Sequence, residues 1–309
     1  MQKKIATDIS LEQSLQRRTF ISTSLKAALA SALISLPGIS MAGFASVNDL
    51  TIQQVIDMII KDIPGAPFKE TVDTIKSGSA DNKVTGIVTT MFATVNVIKE
   101  AIQLNANFII AHEPTFYNHT DDKKWTGENK VVSEKDALLA KHHITVWRFH
   151  DYIHSFKPDG VFYGVTKKAG WESYTKPGEP TFIIPAASLK KIAEHLKKTL
   201  SIDHVRVIGD LNKSCKKITL IPGSGGGQMQ MKFAEKDNPD VLIVGEVHEW
   251  ETAEYIRDAR LLGHEISLVV LGHAVSEEPG MSWFVNWLQP KIPGTKVTHI
   301  ASKSPFMWV

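Results

Sequence analysis

The chain has 309 residues, a formal net charge of +2 and one cysteine, Cys215. Within residues 1–45, Lys3, Lys4, Arg17, Arg18 and Lys26 outnumber Asp8 and Glu12 by three, which leaves about −1 for the remainder. That balance gives no electrostatic footprint for nucleic acid, and one cysteine excludes an intrachain disulfide and a site built from several thiolates.

Arg17 and Arg18 are followed by Thr19, Phe20 and Ile21, then by an apolar stretch to Ile39 that Lys26 interrupts. Small residues follow, with Ala42 and Ala45 as cleavage positions. A basic region, an apolar region and a small-residue site, in that order, read as a secretory signal. Paired arginines before an aromatic and an aliphatic residue resemble a twin-arginine signal. Lys26, the Ser and Thr residues and Pro37-Gly38 argue against a permanent membrane span. The expectation is a cleaved signal over residues 1–45. The mature protein is then periplasmic or extracellular, with no stable membrane association after cleavage. What remains suits one large or two small domains.

Leu50–Ile63 has apolar residues at helical spacing and stops at Pro64-Gly65. Residues 77–83 read as a polar loop, Val84–Met91 as a strand, Val95–Leu104 as a helix and Ala106–Ala111 as the next strand, which completes a βαβ unit. A loop over 118–130 and a helix over Val132–His142 lead to a strand at Ile144–Phe149. Lys157–Pro180, rich in Gly, Pro and Lys, reads as a linker. Then come FIIP, a helix from Ser188 to Leu200, and strands VRVIG (205–209) and ITLIP (218–222). The strand Val241–Val244, a helix over Glu251–Leu262 and the strand Ile266–Leu271 follow. Ser282–Leu288 reads as helical and Val297–Ala301 as a last strand. Strands alternating with helices define an α/β chain. Cys215, in a lysine-rich stretch, reads as an incidental surface thiol.

Four of the apolar runs end in residues that can hold a metal. After them stand HEP (His112, Glu113, Pro114), HDYIH (His150 to His154), GEVHE (Gly245 to Glu249) and GHAVSEE (Gly272 to Glu278). Buried parallel strands read as such runs, and ligands gather at their carboxyl ends. His273 and Glu277 are four apart and share a helical face, as do His150 and His154. Imidazole and carboxylate suit Zn, Mn, Fe, Co or Ni. Glu246, His248 and Glu249 fit the roles of ligand, general base or orienting group equally. His119 lies in a loop near His112. The turn GSGGG (223–227) reads equally as an anion cradle or as a tight turn that allows close packing.

Taken together, these motifs resemble the NIF-three-like (dinuclear metal centre) family over nearly the whole chain after residue 45. GHAVSEE matches its GH-x-x-[ST]-E pattern. IIAHEP is similar to its strand followed by HHP, with Glu113 at the second histidine, and FHDYIH is similar to its HTNLD, with His154 at the aspartate. The resemblance implies a two-domain α/β fold with largely parallel central sheets and a metal site at strand carboxyl ends between the domains. It places domain 1 at 46–165 plus 265–309 and domain 2 at 166–264. It implies two divalent metal ions per subunit on His112, Glu113, His154, His273 and Glu277, and a homo-oligomer, a hexamer in many members. Family roles include hydrolase, GTP cyclohydrolase I type 2-like enzyme and protein-interaction factor.

These readings converge on a metal-dependent hydrolase of a small phosphorylated or cyclic or amide-type substrate. His150, His248 and Glu246 are then the catalytic groups that orient ligands or move protons. The competing expectation is a metal-binding or interaction protein without turnover.

Overall fold

A computed structural model describes residues 50–309. The signal reading of residues 1–45 lies outside the described residues. The first helix, α1 (Ile52–Lys61), starts where Thr51 and Gln54 form a reciprocal capping box, and it buries Ile52, Val55, Ile56 and Ile59 on one stripe.

One five-stranded sheet holds β1 (Ile75–Ser77), β2 (Ile87–Thr90), β3 (Phe108–Ala111), β4 (Thr145–Arg148) and, last in the chain, a strand at Val297–His299. The helices α2 (Val95–Gln103) and α3 (Lys130–Lys141) provide the crossovers from β2 to β3 and from β3 to β4. The order is β1-β4-β3-β2-(297–299), parallel except for the edge pair β1 and β4. Every residue of β2, β3 and β4 is buried. Successive side chains enter opposite cores, as a strand's two-residue period dictates. Phe108, Ile110 and Trp147 face one core, and Ile109, Ala111 and Val146 the other.

Two helices follow β4: the single turn α4 (Asp151–His154) and α5 (Gly160–Lys168). The second sheet is built from β5 (Thr181–Ser188), β6 (Arg206–Ile208), β7 (Ser214–Ile221), β8 (Val241–Val244) and β9 (Ser267–Val270). Its order is β5-β7-β8-β9-β6, with a parallel centre and antiparallel edges. The helices are α6 (Leu189–Leu200), α7 (Gly227–Asp237), α8 (Glu254–Leu261, entered through one π-helical turn at Glu249–Ala253) and α9 (His273–Leu288). The strand at 297–299 is β10.

Three local readings need correction. The stretch read as a linker, 157–180, contains α5, which is largely buried. Its Gly164 meets Gly280 of α9 so closely that a Cβ on Gly164 would strike the Gly280 backbone. The glycine marks a tight helix crossing rather than a flexible tether. Ser77, read as the start of the loop 77–83, is the last residue of the antiparallel edge strand β1. Cys215 is fully buried in the core of the second sheet. Burial pushes its thiol pKa up against the pull of Lys213, so it is neither a surface group nor an activated one.

Candidate metal centre

His112 and Glu113 directly follow β3, and His150 follows β4 with only Phe149 between. The short turn α4 then carries His154 to the same point. Asp73 makes that turn possible. Its two carboxylate oxygens accept the backbone N–H groups of His150 and Tyr152, each at 2.7 Å, which satisfies donors at a helix start. From the second sheet, Glu246 follows β8, and His273 and Glu277 occupy the first turns of α9.

Three imidazoles are oriented in one way. His112 Nδ1 donates to the Phe149 carbonyl at 3.1 Å. His150 Nδ1 faces Asp151 at 3.0 Å, and His154 Nδ1 faces Asp159 at 2.9 Å. Carbonyl and carboxylate oxygens accept only, so each Nδ1 carries a proton, and Nε2 is the ring atom left to face a metal. The three rings lie 4.8 to 5.2 Å apart by centroid. His112 Nε2 is buried and makes no hydrogen bond, with Glu277 Oε2 as its neighbour at 3.4 Å. A buried polar atom left unpaired is costly, and a metal ion would satisfy it. Burial, followed by the neighbouring His112, pushes the His150 pKa down to about 4, which keeps that ring neutral as a ligand must be.

His273 links both halves. Its Nδ1 lies 3.2 Å from Glu246, and its Nε2 lies 3.0 Å from Glu277 and 3.5 Å from Glu113. Burial acts to lower its pKa, but the carboxylates Glu113 and Glu277 outweigh that and raise it to about 10. Burial alone would raise the Glu277 pKa, yet His112 and His273 hold it well below the usual carboxylate range. Two carboxylates converging on one imidazole nitrogen require a cation between them, a proton or a metal ion.

Ligand atoms of His112, His150 and His154 lie within 4.8 Å of one another, and so do those of His112, Glu113 and Glu277. The structure therefore brings together His112, Glu113, His154, His273 and Glu277. It adds His150 to the imidazole cluster itself. Glu246 sits behind His273. His248 is outside the cluster but lines the same cavity as His273 and Glu246; it is exposed, 3.3 Å from Glu251 and stacked on Trp250. His119 approaches His150 only edge-on, at 6.1 Å. Asp73, Asp159 and Arg148 were not singled out from sequence. Arg148 left a signal, a charge inside the apolar run ITVWRF.

In the glycine turn 223–227 the first glycine makes space. Gly223 has φ +65°, and a Cβ there would run into the Glu277 carboxylate. Its N–H donates to Ser276 Oγ at 2.9 Å, and the Gly227 N–H donates to Glu251 at 3.1 Å. Both donors are engaged within the protein.

The fold and the side-chain cluster define a class: an α/β protein with two sheets and a candidate His/carboxylate metal centre at strand carboxyl ends. The profile of Duf34/NIF3 (NGG1p interacting factor 3) matches residues 51–305, and the chain belongs to that family. It is 26% identical over 233 residues to a GTP cyclohydrolase 1 type 2 homolog of Clostridium perfringens, covering 72% of this chain and 85% of that protein. A Bacillus cereus protein related to NIF3 has the same fold, with a TM-score of 0.67 at 17% identity, covering 85% of this chain and 100% of that one. Staphylococcus aureus protein SA1388 gives 0.66 at 20% identity, covering 84% and 99%.

Proposed function

We propose that the protein is a metal-dependent hydrolase that holds two divalent ions, drawn from Zn, Mn, Fe, Co and Ni, on His112, Glu113, His150, His154, His273 and Glu277. The observation that carries this reading is the shared orientation of His112, His150 and His154: Nδ1 fixed by an oxygen, Nε2 turned inward. When bound, such ions polarise a substrate oxygen and lower the pKa of water. The chain's own groups orient and exclude. Glu246 fixes the His273 ring and Phe149 fixes His112, while His112, Glu113 and Glu277 are buried.

A cavity of about 1500 Å³ opens on His273 and Glu246. Lys167, Lys168, Arg206 and Lys303 line it against the carboxylates Asp203, Glu246 and Glu278, alongside Phe92 and Trp283. Cations beside aromatic surface favour a phosphorylated substrate over the cyclic or amide-type alternatives. The name of the clostridial relative, GTP cyclohydrolase 1 type 2 homolog, falls in the same reaction class. A panel of phosphate esters, cyclic nucleotides and cyclic amides tests the reading. Turnover that requires added metal and disappears in His273→Ala is expected. Stoichiometric metal binding with no turnover across the panel would leave a metal-binding or interaction factor, and the hydrolase reading would fall.

Export through the twin-arginine route belongs to the same proposal, on the strength of Arg17-Arg18. Changing both to Lys and fractionating the cells tests it, with retention inside expected. Among the described residues, no helix is long and apolar enough to cross a membrane. The near-neutral charge gives no support for a nucleic-acid partner. Exposed Trp250, Leu261 and Leu262 support self-association, and light scattering should return an oligomer, with six subunits expected.

A further inference from the structure

Arg148 is a guanidinium with 0% exposure at the end of β4. A buried charge of this kind persists only where it is matched. Its Nε donates to the His112 carbonyl at 2.8 Å, its Nη1 to the His119 carbonyl at 2.8 Å and its Nη2 to Glu113 Oε2 at 3.2 Å. Asp121 stands 3.6 Å from Nη1. Two of these four partners, His112 and Glu113, are candidate ligands. The second oxygen of Glu113, Oε1, points the other way, 3.6 Å from His150 Nε2 and 3.5 Å from His273 Nε2.

We propose that Arg148 is a positioning residue of the metal centre: by holding Glu113 Oε2 it presents Oε1 alone to the metal and offsets the charge that this carboxylate brings. The inference rests on the metal-binding part of the proposed function and not on hydrolysis. A carboxylate free on both oxygens would rotate and chelate through both. Tied to a guanidinium, it is a one-point donor with little net charge. The planar fork of arginine suits the task because one side chain serves two carbonyls and a carboxylate at fixed angles. Asp121 shares the charge but not the bond: its Oδ1 accepts the Phe116 N–H at 2.6 Å and its Oδ2 makes no hydrogen bond, lying 3.6 Å from Nη1 and 3.7 Å from Lys76, so Glu113 is the carboxylate that Arg148 holds in place.

The test is a double-mutant cycle read by Co(II) titration of the purified protein, with circular dichroism to confirm folding. The proteins are wild type, Arg148→Met, Glu113→His and the pair combined. Loss of a group that orients a ligand lowers metal affinity about tenfold to a hundredfold, and that loss is expected for Arg148→Met. Its visible Co(II) absorption should also change as Glu113 gains a second bond. With an imidazole at 113 there is no carboxylate to hold, so Arg148→Met should then cost no more than about twofold. Equal losses in both backgrounds would mean that Arg148 acts only through the two carbonyls, and the inference would be overturned while metal binding stands. Wild type that binds no Co(II) would overturn both. Should Arg148→Met fail to fold, Arg148→Lys replaces it. One ammonium cannot hold two carbonyls and Oε2 together, so weaker binding and an altered spectrum are expected. Wild-type affinity and spectrum in that variant would overturn the inference.

Discussion

In the first sheet, the groups that face the centre are held by charge. Arg148 grips Glu113 and the His112 carbonyl, Asp151 and Asp159 fix two imidazoles, and Asp73 caps the turn that carries them. In the second sheet, the approach depends on a missing side chain. Glu277 reaches His112 Nε2, at 3.4 Å, across the bare backbone of Gly223. Charge-held geometry loses one bond at a time, and its failures should be graded. Space-held geometry fails at once, because a carboxylate and a methyl group cannot share a volume.

The sharpest way to break that contrast is Gly223→Ala. Its φ of +65° is strained for an L side chain, and the new methyl group meets Glu277. A loss of about 3 kcal/mol in urea denaturation is expected, with loss of bound metal. Adding Glu277→Ala should return the part owed to the collision and leave the part owed to φ. Wild-type stability in Gly223→Ala would show that the turn moves freely, and the contrast would collapse. Next in size, His273→Ala and Glu277→Ala should each lower metal affinity at least about tenfold while the fold persists. Elemental analysis that finds full metal content in both would end the assignment.

Much of this architecture was legible because buried parallel strands are written as unbroken apolar runs. ANFIIA, VLIV and ISLVVL each contain the strand they suggested, and the ligand-type residues stand just beyond them. The positions that misled were those where one residue type serves opposite ends. Glycine at 160 and 164 looked like slack, yet Gly164 permits a close helix crossing at Gly280. Cysteine among lysines looked exposed, yet β7 alternates, so Cys215 turns inward while Lys216 turns out. The groups behind the ligands were hidden for a related reason. Asp73 and Asp159 act through contacts that only the folded chain creates, and Arg148 reads as one polar letter in a strand until its partners are known.

A milder change tests whether the two unusual motif positions share one site. Glu113→His and His154→Asp should each weaken metal binding, and the double exchange should recover part of the loss and shift which metal is preferred. The His154 imidazole and the Glu113 carboxylate both face the cluster around His112, so their effects should couple by more than about 0.5 kcal/mol. Competition between Zn(II) and Mn(II), read by mass spectrometry, would reveal it. Strictly additive losses would place the two residues in independent sites.

The smallest expected effect lies beside the first-sheet half, at Lys135. Its ammonium is buried, donating to the Thr115 carbonyl at 2.7 Å two residues beyond Glu113. Burial lowers its pKa from 10.5 to about 8 against the opposing pull of Asp121. Below pH 8, folded and unfolded chains both hold the proton, and the folded state bears the full desolvation cost. Between pH 8 and 10.5 the unfolded chain binds more protons than the folded one, so stability from this group rises with pH. The whole gain is about 3 kcal/mol. Lys135→Met removes the titration but leaves the other ionisable groups in place. Wild type should therefore gain on Lys135→Met as pH rises from 7.5 to 10, by about 1–3 kcal/mol in urea denaturation. The Thr115 carbonyl loses its partner equally at both pH values, so it cancels in the comparison. Parallel stability curves for the two proteins would mean that Lys135 is hydrated, and that the loop carrying His112 and Glu113 is packed less tightly on α3 than the 2.7 Å contact indicates.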